Sequence, residues 1–251
     1  MAPHLLFALA LSTLIGVSLG LLGGGGSILA VPVLVYVARV DVHAAIGMSL
    51  AVVGATALVG GLVHARAGRV DLRAAALFAG AGMLGAPVGA QATHAVAPRV
   101  LLLLFAALML AVGSLMLRRT GLARTETPAA HPAAVPAAGF VVGLLTGFLG
   151  VGGGFLIVPA LTLLVGLPIH TAVGTSLLVI AANSAAGLAG HLGRGEAPLG
   201  LTAAFTGAAA VGALGGVRLG GTLDPARLRR AFAAFVIVVG LFLLARNAFP
   251  G

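Results

Sequence analysis

Two short glycine runs hold most of the groups that can do chemistry in this chain. Gly23-Gly24-Gly25-Gly26-Ser27 leads into Ile28-Leu29-Ala30-Val31-Pro32, and Gly150-Val151-Gly152-Gly153-Gly154 leads into Phe155-Leu156-Ile157-Val158-Pro159. Each run lies inside a long apolar segment. Glycine costs a helix roughly 1 kcal/mol per residue against alanine, so consecutive glycines break it. A break at membrane depth strands backbone N–H and C=O groups, and is tolerated only inside protein or along a wet cavity. A half-helix that restarts after the break aims unpaired N–H groups and a partial positive charge at the centre. Two such ends facing each other make an anion site from backbone alone, without a buried Arg or Lys. The competing reading is that glycine merely lets helices pack closely. It is the better one for single glycines such as Gly82, Gly85 and Gly89.

The candidate substrate-binding set is therefore the backbone of Gly23, Gly25, Gly26, Ser27, Gly150, Gly152, Gly153 and Gly154, joined by four side chains. Three of these come from a second matched element, Ala44-Ala45-Ile46-Gly47-Met48-Ser49-Leu50 and Thr171-Ala172-Val173-Gly174-Thr175-Ser176-Leu177. Ser49, Thr175 and Ser176 can donate hydroxyl hydrogen bonds to an anion; the alternative is a serine bonding its own helix. The fourth is Asn183, whose counterpart is Thr56. It is expected as a buried amide, either on a polar path or joining helices. His43, His170, His64 and His191 fall near helix ends, where interfacial positions are expected. Their spacing makes no metal site, and Cys is absent, so thiolate ligands, disulfides and Cys nucleophiles are excluded. All five acids, Asp41, Asp71, Glu126, Glu196 and Asp224, fall in or beside expected loops. A proton-coupled carrier usually keeps a carboxylate at membrane depth. Facilitated movement, or coupling through other groups, is the expectation here. Arg218, near a helix end, is expected to snorkel to the interface.

The elements that must position these groups are membrane helices. The chain has 251 residues, 60% hydrophobic and 8% charged, with mean hydropathy +1.19. A soluble domain carries about 25% charged residues. The basic residues, all Arg, are scattered singly through short loops rather than gathered into a nucleic-acid-binding face. The opening Met1-Ala2-Pro3-His4 has no positive n-region, so the first apolar run is expected to be a retained helix.

The chain is also duplicated. At an offset of 127 residues, the matched pairs include Gly20/Gly147, Gly23/Gly150, Pro32/Pro159, His43/His170, Gly47/Gly174, Ser49/Ser176, His64/His191, Gly85/Gly212 and Gly89/Gly216. Apolar segments are expected at 5–22, 27–38, 44–64, 72–94 and 100–117, and again at 139–149, 154–165, 171–191, 199–221 and 228–245. Residues 1–119 form one membrane repeat, 120–138 a Pro/Ala linker, and 139–251 the second repeat. Segment 27–38 spans only about 18 Å at 1.5 Å per residue, short of the ~30 Å hydrocarbon core. It is either a half-helix after a mid-membrane break or one arm of a re-entrant hairpin.

Arginine placement bears on topology. If 5–22 and 27–38 go and return, Arg66, Arg69, Arg73, Arg118, Arg119, Arg124, Arg218, Arg227, Arg229 and Arg230 share one side. Arg39, Arg99, Arg194 and Arg246 take the other. A single broken span gives a nearly even split, so the positive-inside rule favours the first arrangement. An odd number of crossings per half then inverts the second half against the first. The expected fold class is all-α integral membrane, with two inverted-repeat halves of about five helical segments and one short or broken element each.

The paired Gly-x-Gly-Gly runs leading to Pro32 and Pro159, each followed by an Ala-x-Gly-x-Ser-Leu element, resemble the sulfite exporter TauE/SafE family over nearly the whole chain. That resemblance implies a polytopic transporter of small sulfur-containing anions, in the cell membrane, without a cofactor. Met48 opposite Thr175, and Val151 opposite Gly24, depart from strict repetition and make a shared site asymmetric. The expected function is transport of a small anion, sulfite or an organosulfonate, by alternating access around a midplane site. The expected partners are that anion and the lipid bilayer, not nucleic acid. An anion channel is the alternative. An intramembrane serine hydrolase is weaker, since the histidines are expected near interfaces; the one Gly-x-Ser-x-Gly, Gly16-Val17-Ser18-Leu19-Gly20, lies inside the first long apolar segment.

Overall fold

A computed structural model describes residues 3–93, 98–119, 133–149, 154–191 and 199–248. Among these there is no strand. The helices are α1 (Pro3–Leu22), α2 (Ser27–Pro32), α3 (Val42–Arg66), α4 (Leu72–Thr93), α5 (Pro98–Arg119), α6 (Ala134–Leu149), α7 (Gly154–Leu163), α8 (Ile169–His191), α9 (Leu199–Thr222) and α10 (Pro225–Ala248). Seven of them, α1, α3, α4, α5, α8, α9 and α10, are long and apolar enough to cross a membrane. The expected segments all appear. Helix α6 begins at Ala134, ahead of the apolar segment expected from 139; residues 120–132 of the linker lie outside the described residues.

The short segment after the first glycine run continues α2 with a π-helical turn, Val33–Val37. Pro32 explains the turn. It has no N–H to give to the ladder, and its ring crowds the carbonyl four residues back, so the backbone widens just beyond it. The Ala38 N–H reaches the Val33 carbonyl at 3.0 Å, and the Val40 N–H reaches Leu34 at 3.0 Å. Around Pro159 the second half repeats both bonds, Val165 to Ala160 at 3.1 Å and Leu167 to Leu161 at 2.9 Å. Both segments then stop on a left-handed residue: Arg39 at φ 57° in the first half and its counterpart Gly166 at φ 80° in the second. Glycine adopts that conformation freely, whereas a Cβ makes it costly for Arg39.

Between the two readings left open for this segment, the packing selects the hairpin. Gly26 lies against Ile15 and Leu19, in the later half of α1. Leu34 then shares an apolar cluster with Ala8, flanked by Leu5 and Leu9 at the start of α1. The chain therefore turns at the glycines and runs back along α1.

Small residues set the helix seams. Gly16 meets Ala209 and Gly20 meets Ala213, with Gly212 against Thr13 and Gly216 against Val17. These contacts advance together along α1 and α9, so the two helices run parallel with backbones nearly touching. Across α6 and α4 the offset copies recur: Gly143 against Gly82, Gly85 against Phe140, Gly89 against Leu144. By contrast, α3 and α8 run antiparallel, with Gly54 on Ser184, Gly61 on Leu178 and Gly187 on Leu50. Gly113 on Ile237 and Gly240 on Met109 make α5 and α10 antiparallel too. Each seam is turned into itself or its twin by exchanging the halves, as a two-fold relation between them requires. Small residues let helix backbones approach this closely where apolar surface alone gives no reason for helices to associate.

The two candidate helix starts meet at the centre

The first break is built as expected. The Gly23 N–H donates to the Leu19 carbonyl at 2.7 Å, and Gly23 itself takes φ 75° to end α1. That is the usual glycine stop, since L residues pay for a left-handed φ. The helix restarts at Ser27, whose hydroxyl donates to the Gly24 carbonyl at 2.8 Å. Gly26 has an ordinary helical φ of −66°. Its lack of a side chain is a matter of space: a methyl there would overlap the Ile15 carbonyl. Gly150, Val151, Gly152 and Gly153, the second run, lie outside the described residues; α7 begins directly after them at Gly154.

The starts of α2 and α7 abut. A methyl on Gly154 would lie 2.7 Å from Ser27 Oγ and 3.2 Å from the Gly24 oxygen, and one on Gly24 would overlap the Gly154 carbonyl. Ser27 and Gly154 are counterparts under the 127-residue offset. The antiparallel seam gives the same centre. With Gly54 on Ser184, the level at which counterparts face each other falls at Thr56 on α3 and Asn183 on α8.

Aromatic rings from the last helix of each half close around this point. Phe235 of α10 packs its ring edge 2.6 Å from the position of a Gly25 Cβ. Phe105 of α5 meets Phe155, the residue after Gly154, edge to face at 5.0 Å between centroids. The sequence offered no signal for Phe235, because its counterpart, Leu108, is not aromatic.

The candidate side chains divide by what already holds them. Ser176 is buried and its Oγ lies 2.7 Å from both the Gly23 and Val173 carbonyls. A hydroxyl has one proton, so Ser176 serves as the clasp that ties α8 to the end of α1. Thr175, also buried, accepts the Asp71 N–H at 3.0 Å. That bond leaves the threonine proton uncommitted, while Asp71 caps α4 by accepting the Ala74 N–H at 2.8 Å. Ser49 is buried near the start of α3. Thr56 is 1% exposed and its Oγ1 has no partner among the described residues.

Two expectations are corrected. Asn183, expected as a buried amide, is exposed on α8, while its counterpart Thr56 is the buried one. His64, expected at an interface, is 2% exposed, with neither ring nitrogen hydrogen-bonded among the described residues. Helix-end position placed it correctly along the chain, but α1 and α8 close over it. His170 is half-buried, Arg218 is exposed as snorkelling requires, and the side chains of His43 and His191 lie outside what is described.

Replacing Ser176 with alanine removes the clasp and leaves the Gly23 carbonyl without that donor. An orphaned buried acceptor costs about 1–3 kcal/mol. Ser176→Ala is therefore expected to lower the thermal midpoint of the detergent-solubilised protein, measured by fluorescence-detected size exclusion. A midpoint unchanged from the wild type would show that the bond is not made.

A family model described as sulfite exporter TauE/SafE matches residues 8–243. A probable membrane transporter protein of Xylella fastidiosa (strain 9a5c) is 44% identical over 172 residues, covering 66% of this chain and 66% of that protein. The chain thus spans just under two thirds of that relative in the alignment. The probable membrane transporter protein YdhB of Bacillus subtilis (strain 168) is 26% identical over 237 residues, covering 92% of this chain and 96% of its own. YunE of the same organism, also a probable membrane transporter protein, is 33% identical over 197 residues, 68% of this chain and 72% of its own. No solved structure matches.

Proposed function

Since the chain belongs to the sulfite exporter TauE/SafE family, we propose that it is a multi-pass membrane transporter that moves a small anion, sulfite or an organosulfonate, across the cell membrane. One observation carries the reading: the starts of α2 and α7 abut at the centre, Ser27 Oγ against Gly154, one from each half. Helix starts offer N–H donors and a partial positive charge to an anion without a fixed counter-charge that would hold it too tightly. The proposed ligands are the backbones of Gly25 and Gly26 and of Gly150, Gly152, Gly153 and Gly154, with those of Gly23 and Ser27 joining only by releasing the Leu19 and Gly24 carbonyls. Thr175 and Ser49 supply hydroxyls. Ser176 can join only by releasing Gly23. Asn183 stands on the exposed side of the same level, where an open state would admit water.

We read the halves as inverted repeats in the bilayer. The antiparallel α3/α8 and α5/α10 pairs support this, because parallel repeats would run those pairs in one direction. Alternating access then amounts to rocking the seams around a fixed centre. The hydroxyl of Ser176 is held by carbonyls rather than by an imidazole, so Ser176 is not placed as a hydrolase nucleophile.

Flux into proteoliposomes, measured with sulfite, sulfate, thiosulfate, sulfoacetate and chloride, tests the proposal. Saturable uptake is expected for sulfite or a sulfonate, at carrier rates. Absence of flux for every anion would overturn it. Unitary conductance in planar bilayers would replace the carrier with a channel.

A further inference from the structure

Beside the end of α1 lies a buried titratable group that the proposed site does not use. His64 is 2% exposed, and neither Nδ1 nor Nε2 has a hydrogen-bond partner among the described residues. A neutral imidazole always carries one N–H and one lone pair. Here the Gly20 carbonyl of α1 faces the ring without reaching hydrogen-bond geometry. Ionisable side chains inside a membrane helix persist where a solute or proton uses them.

The surroundings are cationic. Arg69, from the α3–α4 connection, acts on His64 and also on His170 of α8. From α1 comes only the Gly20 carbonyl. Asp224, ahead of α10, acts on His170. Arg69 is half-buried, its guanidinium 2.8 Å from where a Gly221 Cβ would stand at the end of α9. A methyl on Gly174 would come within 2.8 Å of His64 Cβ. Gly174 is followed by Thr175 and then Ser176, the clasp on Gly23. His64 therefore stands within about one helical turn of the first glycine break.

We propose that His64 is the proton-binding group of this anion path: a proton enters on its imidazole with the anion and leaves from it on the other side. The inference rests on the anion-transport reading above. An anion drawn in beside Arg69 stabilises an imidazolium, and the imidazolium in turn holds the anion. Linkage makes this help mutual and equal. No carboxylate at membrane depth is then needed. The proton comes from bulk water on one side and returns to bulk water on the other, so charge and atoms balance without a co-reactant.

The test uses the purified full chain in weakly buffered detergent, with sulfoacetate and thiosulfate as probes. Their charge stays constant over about pH 5–8, the range in which histidine titrates; sulfite itself exchanges protons there. Wild-type protein is expected to take up about one proton per bound anion, read by an indicator dye. H64Q is expected to bind the anion and lose the uptake, and H170Q to keep it. In proteoliposomes, H64Q is expected to lose acceleration by an acid exterior. Binding by the wild type without proton uptake overturns the inference and leaves transport standing, even should H64Q fail to reconstitute. Unchanged uptake in H64Q, or in H64N, also overturns it. Failure of every probe to bind overturns both readings together.

Discussion

Gly24→Val is expected to abolish anion flux while the protein still inserts and elutes as a folded species, and Gly47→Ala is expected to leave flux intact. The two glycines look alike in sequence, each inside an apolar stretch. Their surroundings differ. A Cβ at Gly24 would overlap the Gly154 carbonyl and come within 3.2 Å of the Phe155 nitrogen, whereas one at Gly47 meets nothing within 4 Å. The obstacle at Gly24 is backbone from the other half, so no rotamer change clears it. Forced overpacking of this kind costs about 1–3 kcal/mol. Spent at the one contact where both helix starts meet, that is enough to part them and cut flux at least about tenfold. Gly26→Leu attacks the same place from the α1 side, through the Ile15 carbonyl. Normal flux in Gly24→Val proteoliposomes would remove the site from the α2/α7 junction. A loss in Gly47→Ala equal to that in Gly24→Val would make both effects general damage.

Much of the architecture could be read because the chain states it twice. Every expected segment is found to within a few residues, since Gly23, Gly68 and Gly166 stop helices by positive φ and the prolines mark where ladders loosen. The offset also carried information about tertiary structure. When Gly16 packs on Ala209, its copy Gly143 packs on Gly82, so paired glycines reported seams rather than mere helix breaking. Gly85 and Gly89, expected as packing residues from their spacing along one helix, pack on Phe140 and Leu144.

Other features depend on chain segments far apart and leave no local trace. Twelve apolar residues after Ser27 suit a half-span as well as a hairpin arm; only Leu34 against the cluster at Ala8 separates them. His64 looked interfacial because it sits in the last turn of α3. Its burial is made by α1 and α8, which the sequence does not place beside it. Asn183 looked buried because it lies a couple of turns into a membrane helix, but α8 turns Ser184 rather than Asn183 toward Gly54. Three of the eight proposed backbone positions, Gly150, Gly152 and Gly153, stand on the repeat alone.

The second large effect is all-or-none and concerns orientation. A single cysteine at Arg66 is expected to react with a membrane-impermeant maleimide only from the cytoplasmic face, and one at Arg194 only from the opposite face. The chain has no cysteine of its own, so each label reports one position. The physical ground is the α3/α8 seam. Leu50 meets Gly187 while Gly61 meets Leu178, so the C-terminal ends of the two helices point apart, and Arg66 and Arg194 follow those ends. Orientation itself is set by charge. Arg66, Arg69 and Arg73 cluster after α3, whereas Arg194 is offset by Glu196. Removing Arg66 leaves two arginines to hold that connection inside, so the substitution does not reverse the topology it measures. Should both cysteines react from one face, the halves are not inverted. The ends of α2 and α7 would then approach the centre from the same side, and a carrier built on their exchange would have no second state to reach.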